Sequence, residues 1–288
     1  MSAMILESSD PRWSGVLAGL AHDVYHLGEY ASIEAQRLNA KAAAFVFTQN
    51  EKTFFLPYLV RECETVPNVP KVWDVVSPYG YPGALTNDAG KNVEFVARAL
   101  TALRETWSQS GICSAFLRMH PIFGARQSSF FPSSVLGDSG QTVAIDLQNP
   151  IDEQMSKGHR RTIDKCRKLG YVVRFVPLTE AFERFTAIYK QTMDRVNANN
   201  EYYFDDRYFT SLAELEQVTC AIAELGDEVA ATCLFFNSHG VMQAHLGGTA
   251  DAHFQHSPFH YVLNQAAHWG KSHGAQWLHL GGGVGGAR

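Results

Sequence analysis

Strand-like apolar runs and amphipathic stretches follow the same order in both halves of this chain: strand, strand, helix, strand. In the first half, Ala43–Phe47 and Phe54–Val60 flank the polar Asn50-Glu51-Lys52, which predicts a hairpin. A helix over about residues 91–108 and a strand over Cys113–Met119 follow. In the second half, Val218–Glu224, Ala230–Asn237 and Val241–Leu246 precede a helix opening at Ser257-Pro258 and a closing strand, Trp277–Leu280. Strands in series with interposed helices predict a mixed-sheet α/β (α+β) architecture. For 288 residues, a prior of about 150 residues per domain predicts two units, residues 1–141 and 142–288.

Further helix starts fall at Asp10-Pro11 and Asn149-Pro150, where an acceptor side chain precedes a proline. The second of these predicts a helix running to Leu169 and stopped by Gly170, then a strand Val172–Val176 and helices over about residues 180–196 and 206–215. The longest wholly apolar run, Ala42–Phe47, is far too short to cross a bilayer, so membrane insertion is not expected. Five scattered cysteines, without a C-x-x-C pair, indicate neither a disulfide frame nor a structural zinc site and point to a reducing cytoplasm.

Several motifs resemble known chemistry without its context. Gly281–Gly286 fits G-x-G-x-x-G after a strand, but neither a helix N-terminus nor an acidic residue about twenty positions on follows before Arg288, as a dinucleotide site requires. Gly137-Asp138-Ser139-Gly140 reads as a polar turn before the strand at Thr142 rather than as a nucleophile loop. His253, His256 and His260 lack a carboxylate or cysteine at ligand spacing, so no metal is predicted, and no P-loop pattern is present.

Charge carries more information. The net charge of −5 argues against a general nucleic-acid binder, yet seven Lys and Arg fall between Lys157 and Arg174 against the single acid Asp164. On a helical wheel Ile151, Met155, Thr162 and Cys166 share one face, and Lys157, Arg160, Arg161, Arg167 and Lys168 lie opposite. Such a face either meets water or holds phosphates with forked donors. The loop Ser77–Gly83 sets Tyr79 and Tyr81 around a glycine between two prolines, which suits either a tight turn with buried rings or a rigid binding loop. Arg118 and His120 leave an apolar strand end together.

The order of these motifs resembles the FemABX family of aminoacyl-tRNA-dependent peptide transferases, its small single-chain members especially. The residues that carry it are Ser77–Gly83, Leu117–Pro121, the basic stretch with Arg160, Arg161, Ile163 and Lys165 before Gly170, Tyr202-Tyr203-Phe204, His245–Thr249 and Leu278–Gly283. The resemblance implies two tandem GNAT-like modules with a cleft between them. It also implies transfer of an aminoacyl group from charged tRNA, as co-substrate, to the amine of a peptide or peptidyl-nucleotide or nucleoside acceptor, with no other cofactor. Members build cell-wall bridges or extend peptide antibiotics, including alanyl transfer in pacidamycin-type uridyl peptides, and an antibiotic-pathway role is expected here. By the motifs, Tyr79, Tyr81, Arg118, His120 and Tyr203 would meet the acceptor, and Lys157, Arg160, Arg161 and Lys165 the tRNA phosphates. The family's later Phe-Lys pair, whose lysine is thought to stabilise the transition state, has no counterpart before Arg288, so no catalytic residue is assigned.

Two other readings stand beside this one. One GNAT-like scaffold can host a coenzyme A donor instead. Between Leu246 and Tyr261, however, the glycine-rich pattern [RQ]-x-x-G-x-[GA] that cradles a pyrophosphate is missing, which favours tRNA. The other is a non-catalytic relative that keeps the cleft and only retains ligand.

Overall fold

Alternate residues of the most apolar run face opposite ways, and both directions are covered. Ala43, Phe45 and Phe47 join Phe54, Leu56, Tyr58, Phe95 and Leu103 in one core, while Ala44 and Val46 join Trp13, Leu17, Ala31 and Phe55 in another. A strand buried on both faces reads as continuous rather than alternating, which is why the run stands out in the sequence. The structure is a computed structural model and describes residues 1–64, 70–123, 131–137 and 140–282. Asp138-Ser139 of the polar turn and Gly283–Arg288 of the glycine-rich end lie outside these residues.

The chain divides into two compact units, Met1–Ser139 and Gly140–Arg288. The first contains β1 (Ser2–Glu7), α1 (Arg12–Leu17), α2 (Gly28–Arg37), β2 (Lys41–Gln49), β3 (Lys52–Glu62), β4 (Trp73–Val76), β5 (Leu85–Thr86), α3 (Val93–Gln109) and β6 (Ile112–Phe116). Its sheet runs β1-β2-β3-β4-β6, with β5 also on β3. The β4/β6 pair is parallel and the other pairs are antiparallel. The predicted hairpin is present and turns at Asn50, whose φ of 53° suits asparagine. Asn92 caps α3 by accepting the Phe95 N–H at 3.0 Å, so this helix starts two residues later than the periodicity predicts.

The second unit contains β7 (Val143–Asp146), α4 (Lys157–Leu169), β8 (Val172–Val176), α5 (Leu178–Arg195), α6 (Asp206–Ala213), β9 (Val218–Leu225), β10 (Glu228–Ser238), β11 (Val241–Thr249), α7 (Pro258–Ser272) and β12 (Trp277–Gly281). Its sheet order is β7-β12-β11-β10-β9-β8. Strands β11 and β12 are parallel, joined through α7, as β4 and β6 are joined through α3. The shared strand order of the two halves thus reflects one recurring strand–helix–strand crossover. Helix α4 does not extend back to Asn149-Pro150. A 3₁₀ turn at Asp152–Gln154 intervenes, and Ser156 Oγ accepts the His159 N–H at 3.2 Å to start the helix. Ile151 and Met155 still pack inward, but from outside the helix. Among the described residues no helix is long and apolar enough to cross a membrane.

Candidate functional site

Among the described residues, strands β11 and β12 pair over Val241–Gln243 and Trp277–His279. Beyond that point, among the described residues, β11 continues to Thr249 against β10, and the described pairing of β11 with β12 ends before the carboxyl end of β11. Ligands of open α/β sheets bind outside the carboxyl ends of strands. A buried hydrogen bond from His279 Nδ1 to Gln243 Oε1 joins the paired part of the two strands. Just past it, Leu234 faces Leu246 and Phe235 faces Ala244, which makes His245 the extra residue of a β-bulge. Its ring stacks on Phe236 with centroids 4.2 Å apart, and its Nε2 lies 3.4 Å from the Tyr208 hydroxyl on α6. The structure sets His245 half-buried on the bulge.

Helix α4 packs beside α7. His159, in the first turn of α4, stacks on His260, in the first turn of α7, with centroids 4.7 Å apart. Burial, and then the neighbouring His159, lower the pKa of His260. Lys157, Arg161 and Lys165 follow one another at four-residue spacing along the exposed face of α4, and no ion pair of theirs occurs among the described residues. Arg160 Nη1 donates to the Asp152 carbonyl at 3.3 Å. Ile163 and Cys166 form the buried face. The four predicted phosphate ligands therefore share one helix, with dipole and side chains of the same sign at its N-terminus.

In the first unit the loop carrying Tyr79 and Tyr81 is held from beneath. Glu34 on α2, fully buried, accepts the Tyr79 N–H at 3.2 Å and the Arg37 guanidinium at 2.7 Å. Tyr30 Oη donates to the Tyr79 carbonyl at 2.9 Å. Gly80, at φ 98°, lies so close to the Tyr25 ring that an added Cβ would come within 2.4 Å of it. Tyr79 and Tyr81 remain half-buried and Arg118 is exposed. His120 is placed differently: its Nδ1 accepts the N–H groups of Ile122 and Phe123, so its Nε2–H donates to Asp23 at 3.0 Å. With no exposed surface, His120 braces the loop from behind. Tyr203, in the second unit, is part-exposed and donates to Asp194 at 3.0 Å.

Residues 154–286 match the family model described as an acetyltransferase (GNAT) domain. Among solved structures, FemX superposes with a TM-score of 0.68 at 13% identity, over 98% of this chain and 89% of that one. The fold is FemABX-like, two GNAT-type units in tandem. A conserved protein of unknown function from Bacteroides thetaiotaomicron gives a TM-score of 0.58 at 9% identity, covering 93% and 86% of the two chains. The C-terminal domain of a putative lysylphosphatidylglycerol synthetase from Agrobacterium fabrum gives 0.55 at 10% identity, covering 88% and 73%. No curated protein matches the sequence significantly.

Within this FemABX-like fold the structure also brings together residues that the sequence did not single out. Glu34 and Asp23 are buried carboxylates on elements without a strong periodic signal. Tyr171, Glu228, His253 and His256 form a hydrogen-bonded cluster just before α7. Only the close spacing of His253 and His256 hinted at it.

Proposed function

We propose that this protein is an acyltransferase that moves an aminoacyl group from charged tRNA to the amine of a peptide-like acceptor. The observation that carries the reading is the cationic stripe Lys157, Arg161 and Lys165 on the exposed face of α4. Phosphates of an RNA acceptor end suit such a surface because forked and point cations and the positive end of the α4 dipole act together on negative charge. An aminoacyl ester is already activated, so its aminolysis needs alignment and stabilisation of the oxyanion more than a strong base. Tyr79, Tyr81 and Arg118 of the first unit are assigned to the acceptor, and the step is the extension of an antibiotic or cell-wall precursor peptide.

A second reading, an acyl-CoA donor, is favoured by the match of residues 154–286 to the acetyltransferase domain model. Transfer of radiolabelled amino acids from a total charged-tRNA pool to small peptidyl amines, run beside labelled acetyl-CoA and with ribonuclease, separates the two. Ribonuclease-sensitive product is expected. Product from acetyl-CoA alone would replace the tRNA reading with the second one, and silence with both donors would leave a binding protein.

A further inference from the structure

The five cysteines are scattered in sequence and are not equivalent in the fold. Cys166, Cys220 and Cys233 are buried. Burial pushes all three thiols up, that of Cys220 to about 12, which removes the thiolate that reacts with oxidants and disulfides. The other two are within reach of solvent: Cys113 is exposed and Cys63 half-buried. They stand 50 residues apart in the chain, yet their Sγ atoms are 4.0 Å apart. We propose that Cys63 and Cys113 form a reversible thiol–disulfide exchange site in the first unit, where a low-molecular-weight disulfide of the glutathione type closes a bridge between the end of β3 and a bulge in β6.

Both thiols sit where the ladder holds the backbone least. Trp73 of β4 faces Ile112 and Asp74 faces Ser114, so Cys113 is the extra residue of a β-bulge and has no partner in that register among the described residues. Cys63 is the first residue after β3, and its N–H donates to the Val72 carbonyl at 3.1 Å. A disulfide needs its sulfurs about 2.05 Å apart, so about 2 Å must be closed. A bulge residue and a strand-end residue give that movement while the pairs beside them, Arg61 with Asp74 and Val75 with Ala115, stay in register. The charges nearest Cys63 are those of the Arg61–Asp74 ion pair, which act on it with opposite signs.

Exposure makes Cys113 the attacking sulfur. Its thiol gives a proton to solvent, the thiolate attacks one sulfur of the small disulfide, that S–S bond breaks, and one small thiolate leaves and is protonated. Cys63 then gives up its own proton, attacks Cys113 Sγ in the mixed disulfide and displaces the second small thiolate, which is protonated in turn. Two protein thiols are thereby oxidised by two electrons, and one small disulfide is reduced to two thiols. In the reduced pair, desolvation and then Cys113 push the Cys63 thiol up. Once Cys113 is in the mixed disulfide its part of that effect is gone, and Cys63 ionises more readily for the second step. The bridge closes a loop that contains β4, the aromatic loop Ser77–Gly83, β5 and α3. Oxidation therefore staples the part of the unit that carries Tyr79 and Tyr81 and constrains the unfolded chain.

The test is incubation of the full chain with glutathione disulfide, followed by acid quench, alkylation of the remaining thiols and peptide mapping by mass. The wild type is expected to lose Cys63 and Cys113 from the alkylated set, to yield a peptide linked through these two residues without bound glutathione, and to regain both thiols in dithiothreitol. Cys63→Ser should stop at a glutathione adduct on Cys113, because the resolving sulfur is missing. In urea without reductant, the oxidised wild type should show a folded-to-unfolded ratio raised on the order of a hundredfold, a shift absent from Cys63→Ser and Cys113→Ser. A glutathione adduct that persists on Cys113 of the wild type would mean that the two sulfurs do not meet, and overturns the proposal. So would retention of both thiols, a covalent dimer linked through Cys113, or a bridge that recruits Cys166, Cys220 or Cys233.

Discussion

Glu34 Oε2 accepts the backbone N–H of Tyr79 at 3.2 Å, across forty-five residues of sequence, from a side chain with no exposed surface. The same carboxylate is held by the half-buried Arg37, so the aromatic loop hangs from a buried carboxylate with a charged partner. Replacing Glu34 by Ala leaves the Tyr79 N–H and the Arg37 guanidinium without this acceptor. Loss of one partner of such a pair costs about 3–5 kcal/mol, which a urea unfolding curve would register directly. Glu34→Gln keeps an acceptor oxygen and is expected to lose less stability while raising the KM for the acceptor more than that for the donor. Equal change in both KM values would separate the loop from acceptor recognition.

A different dependence follows from His26. It is fully buried, and its Nδ1 accepts the Asp23 N–H at 3.0 Å. The ring proton therefore sits on Nε2, for which the described residues offer no acceptor. Burial, and then the neighbouring His120, push its pKa down to about 3. The folded state thus resists the proton that the unfolded chain binds near pH 6.5. Stability from this group is complete above about pH 6.5 and is lost as pH falls toward about 3. The slope approaches about 1.4 kcal/mol per pH unit. Between about pH 4.5 and 6.5, before carboxylates titrate, His26→Gln should flatten the pH dependence of the unfolding free energy. An unchanged slope would mean that the ring is hydrated in the folded state.

The sequence carried the strand–helix–strand order, the β2–β3 hairpin and the basic helix, because each depends on local periodicity or a local cap. It did not reveal β1, β4 or α2. Strand β4 is four residues long, and α2 buries Tyr30 and Glu34 beside Ala31 and Ile33, so its inner face is not apolar. The aromatic loop was visible as Tyr79-Gly80-Tyr81, but its supports, Asp23, Tyr25 and Glu34, lie far away in sequence and are recruited by tertiary packing. His120 illustrates the same limit. Its place after an apolar strand suggested a ligand contact, whereas both ring nitrogens are spent on Asp23 and two backbone N–H groups.

The cationic stripe on α4 makes a prediction about salt rather than about affinity alone. Each phosphate neutralised contributes about 0.7 to a single-strand and about 0.9 to a duplex slope of log K against log salt. Lys157→Ala, Arg161→Ala and Lys165→Ala are therefore each expected to reduce the slope for an acceptor-stem hairpin by somewhat less than one. Their effect on RNAs of different sequence should be uniform, since phosphate contacts carry no base information. Arg167→Ala is the control, because its guanidinium is paired with Asp164 at 3.1 Å. A slope reduced as much by the control as by the stripe would place the RNA elsewhere on the unit.

The packing of α5 against the end of β11 depends on how closely the helix approaches the sheet, and Gly248 sets that distance. A Cβ there would lie 2.3 Å from Thr192 Oγ1 and 3.0 Å from the Ile188 carbonyl. Thr192 cannot simply turn away. Its hydroxyl donates to the Ile188 carbonyl at 2.9 Å and accepts the Thr249 N–H at 3.1 Å, tying α5 to the end of β11. Gly248→Ala must push the helix outward or break these bonds, and overpacking of this kind costs about 1–3 kcal/mol. Thr192→Ala in the same chain removes the nearer contact but leaves the backbone carbonyl in place. The double variant is therefore expected to recover part of the lost stability, read as the midpoint of urea unfolding, and not all of it. Full additivity of the two losses would show that α5 yields freely at this point and that Gly248 does not fix the spacing.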